Sequence, residues 1–318
     1  MMNRKLLSAI WLVSLLTSPS LAQQVSFENV PSELQPKYDA QKAEITALVG
    51  QIQDKKLAGE VRAAHLAELQ QRFPYVVLPT AKSVALDESE PLQLEATKIL
   101  IGSVVMMNHS AGGDHAMHEQ FTSTMDILKQ VVASGTAAAR SFAAETGASL
   151  GDSGMLSEIQ KKNDEGVISD ADAVGYFTLA DPGVAASYVE KYLSSENVAA
   201  QEQAVSYLGP LPDYQATIRQ DFFLDANKPA AVQAAAARVL ARTDEKFTTY
   251  SDKVIMRDGT PTQVVDAIIR GSIENTTNPV NAEQVSKYKT ILDDYKKANP
   301  GVNMQQLNTI QNSIEILR

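Results

Sequence analysis

The stretch KPAAVQAAAARVLAR, residues 228–242, has a proline at its second position, Pro229, and then runs to Arg242 with no further helix breaker. Alanine is the best helix former and proline is tolerated in a first turn, so a helix starting near 229 is predicted. Similar openings recur: ENVAAQEQAVSYL from Glu196, NKPAAVQAAAARVL from Asn227 and GTPTQVVDAIIRGSI from Gly259, which begin 31 and 32 residues apart. Each is followed by a second helical run, DYQATIRQDFF (213–223), EKFTTYSDKVI (245–255) and NAEQVSKYKTILDDYKK (281–297). At an offset of 32, Ala204-Val-Ser-Tyr-Leu208 lies over Ala236-Ala-Arg-Val-Leu240, with small and large apolar residues in register. A two-helix unit cannot bury both of its faces alone, so a recurring unit of this length implies stacked neighbours.

On these residues the chain resembles the HEAT-like (armadillo-type) α-helical repeat family. The best match is 228–242, with its proline-led start, Val232 at the fourth helical position and the Ala236-x-x-x-Leu240 packing face. The family often has arginine directly after that valine; here Gln233 occupies the place. The match is strongest over 196–275 and extends from about 88 to the C-terminus. The resemblance implies an all-α fold, a right-handed α-α superhelix, used by the family chiefly as a protein-binding scaffold. It implies no chemistry.

Working outward, residues 23–74 read as an N-terminal helical hairpin. ELQPKYDAQKAEITALVGQIQDKK carries Ile45, Leu48 and Ile52 on one side, and LAGEVRAAHLAELQQRF carries Val61, Leu66 and Leu69 before Pro74. Residues 75–87 contain the β-rich YVVLPTAKSVAL, interrupted by Pro79, and are expected to form an extended connector. The repeat domain then fills 88–318. Ahead of all this, Arg4 and Lys5, an apolar run from Leu6 to Leu16 and Ser20-Leu21-Ala22 have the form of a secretory signal peptide. Cleavage is expected near Ala22, giving a periplasmic or secreted protein with no transmembrane segment in the mature chain. The single tryptophan, Trp11, lies in that signal, so the processed protein should show no tryptophan absorbance.

Composition removes several function classes. Loss of Arg4 and Lys5 with the signal takes the net charge from −10 to −12, which disfavours nucleic acid as a partner. With no cysteine there is no disulfide, thiolate nucleophile, iron–sulfur cluster or thioether-linked haem. GDSG at 151–154 is similar to a serine-protease nucleophile segment but lies between helices, where Ser153 is expected to cap. KKNDEGVISDAD (161–172) has the outline of a calcium loop, but Lys161 stands where a carboxylate should anchor the ion and Asp172 replaces the bidentate glutamate. A turn between helices is the expectation there.

Three of the four histidines fall in MMNHSAGGDHAMHEQF (106–121). Gly112-Gly113 breaks the chain and Asp114 is a good N-cap for the helix that follows. His115 and His118 then share one face of its first turn, three residues apart, with Glu119 beside them. His109, across the SAGG loop, would fold back as a third ligand, while Met106, Met107, Met117 and Met125 offer thioethers. The positive end of a helix dipole keeps imidazole neutral, the form a metal needs. Imidazole with thioether suits copper, and imidazole with Glu119 or Asp114 suits zinc. His65 is read as structural.

No set of residues meets the requirements of a catalytic constellation. The expected function is therefore a non-catalytic, exported scaffold in the cell envelope, engaging another protein or an envelope component and needing no cofactor. The alternative is a periplasmic copper- or zinc-binding protein built on His109, His115 and His118 with Met117 and Glu119. An enzyme whose site leaves no local motif is a third reading.

Overall fold

The computed structural model describes residues 35–110, 115–273 and 282–301, together with 305, 308, 309, 311 and 312. The expected signal peptide, 1–22, and the 111–114 turn lie outside them. Every regular element among the described residues is helical, with no strand, so the chain is all-α. Two compact units divide after Glu165.

The first unit contains α1 (Gln35–Gln53), α2 (Gly59–Arg72), α3 (Val77–Val84), α4 (Glu90–Ser110), α5 (His115–Ser134), α6 (Ala137–Ser149) and α7 (Ser153–Asp164). Helix α1 packs on α2 through Leu48 and Ile52, and α2 buries Leu66 and Leu69. Val61, expected on that inner face, is 43 % exposed. Contacts then skip along the chain: α2 packs on α4, α4 on α6 and α5 on α7, while sequence neighbours also touch. Helices α2, α4 and α6 thus stack one on the next, and α5 on α7, so that each covers an apolar stripe of its neighbour.

The connector expected at 75–87 is corrected here, because Val77–Val84 is helix. Val77, Thr80, Ala81 and Val84 are buried, a helical spacing that contact with α4 rewards. Pro79 does no harm in the first turn, where amide N–H groups have no intrahelical acceptor. The β-branched valines misled because tertiary burial outweighs a propensity difference of a few tenths of a kcal/mol.

The second unit contains α8 (Asp170–Phe177), α9 (Pro182–Glu190), a 3-10 turn (Lys191–Ser194), α10 (Val198–Leu208), α11 (Pro212–Thr217) running into a π-helical turn (Ile218–Phe223), α12 (Ala230–Thr243), α13 (Phe247–Ile255), α14 (Thr262–Ile273) and α15 (Ala282–Ala298). Local signals set several starts. Ser169, Asp181 and Asn197 cap α8, α9 and α10 with side-chain oxygens, and Pro182 follows its cap at the first helical position.

Here too alternate helices stack, α8 on α10, α10 on α12 and α12 on α14. The offset of 32 extends to burial: Ala204, Val205 and Leu208 are buried, as are Ala236, Ala237 and Leu240, while Ser206 and Arg238 are exposed. Gln201 and Gln233, at the same offset, are both buried amides that donate to the backbone just before their own helix, in the 3-10 turn for Gln201 and the loop for Gln233. Gln201 reaches Leu193 O at 2.7 Å and Gln233 reaches Lys228 O at 2.8 Å. Gln233 thus ties the helix to the loop before it.

Small residues let α12 and α14 approach closely. A Cβ on Gly271 would stand 2.8 Å from Ala241 Cβ and 3.4 Å from Arg238 Cα. The π turn has its own consequence. Its wider ladder, with Leu224 N bonded to Arg219 O at 3.0 Å, brings Ile218, Phe222 and Phe223 all into the core.

Candidate functional site

The histidine-rich corner is built by α4 and α5, which pack on each other. Helix α4 ends at Ser110 and α5 begins at His115, so His109 and the first turn of α5 lie at the same end of an antiparallel pair. His118 and Glu119 are exposed and Met117 is half-buried. The side chains of His109 and His115, and the whole of Asp114, lie outside the described residues. Among the described residues no group of three or more His, Asp or Glu side chains is arranged to hold a metal ion.

The methionines separate. Met106 is 70 % exposed, whereas Met107 (8 %) and Met125 (1 %) belong to the core and are not available as thioether ligands. Adjacent helical positions are turned by about 100° around the axis, so Met106 and Met107 do not share a face. His65 stands on α2 with its Nδ1 3.8 Å from Glu68.

The two other motifs resolve into local structure. In GDSG, Asp152 rather than Ser153 is the cap, accepting Met155 N at 2.7 Å, and Lys129 Nζ lies 3.3 Å from the same carboxylate oxygen. Around the calcium-like loop, Glu165 pairs with Lys162 at 2.7 Å and Asp172 accepts Ser169 Oγ at 2.6 Å. Gly166 takes a positive φ of 73°, the left-handed conformation that ends α7.

Sequence reasoning missed three polar arrangements that join residues far apart in the chain. Arg62, 5 % exposed, donates through Nε to Ile52 O at 2.7 Å and grips Asp87 with both terminal nitrogens at 3.1 and 2.8 Å. Burial pushes the Asp87 carboxyl up, but the hydrogen bonds from Arg62 and the Ser89 amide outweigh it and leave it below the usual carboxylate range.

Asp244 is held similarly. Burial opposes its charge, while Tyr250 Oη at 2.8 Å, the Lys246 amide and Arg219 at 3.0 Å lower its pKa overall. Tyr250 is pushed well above the ordinary phenol range by burial and then by its bond to Asp244. In the third arrangement Lys82 Nζ on α3 donates to Ser123 Oγ on α5 at 2.7 Å. No local motif announces any of these, because the partners are 25, 25 and 41 residues apart. No family model, no curated protein and no solved structure matches this chain.

Proposed function

We propose that this protein is an exported helical-repeat scaffold, an N-terminal hairpin followed by a HEAT-like superhelix, that binds another protein or a component of the cell envelope. The observation that carries the reading is the repetition at an offset of 32 residues, which extends from sequence to burial and to the Gln201 and Gln233 loop ties. Repeats of this kind present parallel helix faces over a long surface, which suits extended protein contacts more than a small-molecule pocket. Val184 on α9 and Val198 at the start of α10, 40 % and 41 % exposed, supply apolar contact positions. The test is affinity capture from envelope extract with the processed protein, beside Val184→Lys and Val198→Lys variants. A partner held by the native chain and weakened by the charged variants is expected; recovery of no partner, or equal capture by all three, overturns the reading.

A second reading, metal binding at the α4–α5 corner, is favoured by the placement of His109 and the first turn of α5 at one end of the helix pair. Copper or zinc would take the imidazoles of His109, His115 and His118, with Met117 or Glu119 completing the set. Titration with Cu(I), Cu(II) and Zn(II) is expected to give binding tighter than micromolar that is lost when all three histidines become alanine. Binding at micromolar strength or weaker, unchanged by the triple substitution, eliminates this reading.

A further inference from the structure

The amide nitrogen that follows an aspartate can close on the carboxyl carbon and form a five-membered succinimide. Closure needs a carboxyl that is not held elsewhere, an N–H without an acceptor and little bulk on the following residue, which glycine supplies. In this chain only Asp258 is an aspartate followed by glycine, and no asparagine is. Asp258 and Gly259 are both exposed in the turn between α13 and α14, and a Cβ placed on Gly259 meets nothing within 4 Å. We infer that Asp258 is a covalent modification site, at which the folded protein isomerises to isoaspartate without an enzyme.

Hydrogen bonding separates Asp258 from other loop aspartates. Asp54, Asp87, Asp181, Asp225 and Asp244 each accept the amide two residues on, at 2.8–3.0 Å, and Asp152 accepts that of Met155 at 2.7 Å. Such a bond aims the carboxylate past the next amide and keeps it from closing there. At Asp258 the corresponding amide, Thr260 N, is taken instead by Arg257 O at 3.2 Å. Among the described residues neither the Asp258 carboxylate nor the Gly259 amide has a hydrogen-bond partner.

In the ring-closing step the Gly259 nitrogen bonds to Cγ of the protonated carboxyl, and its proton leaves with the carboxyl hydroxyl as water. Water then adds back to either ring carbonyl. Addition at Cγ restores aspartate. Addition at the main-chain carbonyl carbon leaves Gly259 linked through Cγ, with a free α-carboxylate. The product has the same atoms as the starting chain but one more methylene in its main chain. That carbon enters a turn pinned on both sides. Arg257 donates to Leu224 O at 3.0 Å, and Thr260 Oγ1 donates to Val254 O at 2.6 Å. The Thr260 carbonyl also accepts Tyr295 Oη of α15 at 2.8 Å. With these anchors in place, the lengthened turn displaces the Thr260 amide from Arg257 O.

The test is site-resolved mass spectrometry of the folded protein held at neutral pH for several weeks, with fragmentation that distinguishes isoaspartate from aspartate. Free peptides spanning Asp258 and Asp152 serve as unstructured references. Asp258 is expected to isomerise within a few-fold of its peptide, whereas Asp152, followed by the small Ser153, should trail its own peptide much further. Asp258→Asn, with ammonia rather than water to expel, should be converted several-fold faster, and Asp258→Glu, which would need a six-membered ring, should stay unmodified. In the separated isoaspartyl form the Thr260 amide should exchange with deuterium several-fold faster than in the native chain. An Asp258 that trails its peptide as far as Asp152 does overturns the inference, as does an Asp258→Asn chain converted no faster than the native one. Unchanged exchange at Thr260 overturns the effect assigned to the turn.

Discussion

Asp87→Ala should lower the unfolding free energy by about 3–5 kcal/mol, the range for stranding one charge of a buried ion pair. Arg62 is held under the junction of α1, α2 and the loop before α4, with one bond to Ile52 O and two to Asp87. Removing the carboxylate leaves the guanidinium charged, buried and largely unpartnered, and it also frees the Ser89 amide. The cost lies in the abandoned charge rather than in the lost attraction. The double variant Arg62→Met with Asp87→Ala should therefore recover much of the loss, since apolar replacements of a buried pair are often neutral or better. Urea unfolding of the two variants decides the point. A double variant as unstable as Asp87→Ala alone would contradict this account.

The same pair makes stability depend on acid in a defined direction. Asp87 has a folded-state pKa below its unfolded value, so its contribution is fully present above about pH 4 and is lost as pH falls through the lower folded value. Asp244 acts in the same sense. Asp87→Asn should be less stable at neutral pH and should lose less stability on acidification than the native chain.

Phe223→Ala should cost about 3–5 kcal/mol, the usual range for emptying a buried aromatic site. Phe223 is fully buried, with its ring centroid 5.4 Å from Phe247 and 5.7 Å from Tyr250, which meets it edge-on. Phe247 and Tyr250 also meet edge-on at 5.6 Å, so the three rings close on one another. Tyr250 in turn bonds Asp244, which Arg219 grips from the π turn, so the cavity would also loosen a polar cluster. A fall in the urea midpoint with an unchanged slope is expected. A loss below about 1 kcal/mol, the level of a surface substitution, would show that the ring trio is not a packing centre.

The candidate corner was legible to the extent that its information is local. The start of a helix near His115 follows from Asp114 and the hydrophobic period, and α5 begins at His115, while α4 runs on to Ser110. Which methionines face the core was not legible. Met106 and Met107 are adjacent and chemically identical, and only the packing of α4 makes one 70 % and the other 8 % exposed.

The sequence by itself determined the helical character of 35–72 and of the repeats from 196 onward, because propensity, capping and the 3.6-residue period act over a few neighbours. Ser169, Asp181, Asn197 and Pro182 mark helix starts without reference to the rest of the molecule. It also determined, through the repeat of 32 residues, that helices two apart would have matching faces. The tertiary structure alone decided that the valine-rich 77–84 segment coils rather than extends, since burial against α4 settles a weak local preference. It alone joined Arg62 to Asp87, Arg219 to Asp244 and Lys82 to Ser123. Those bonds depend on distances between helices, and such distances arise only once the apolar stripes have packed.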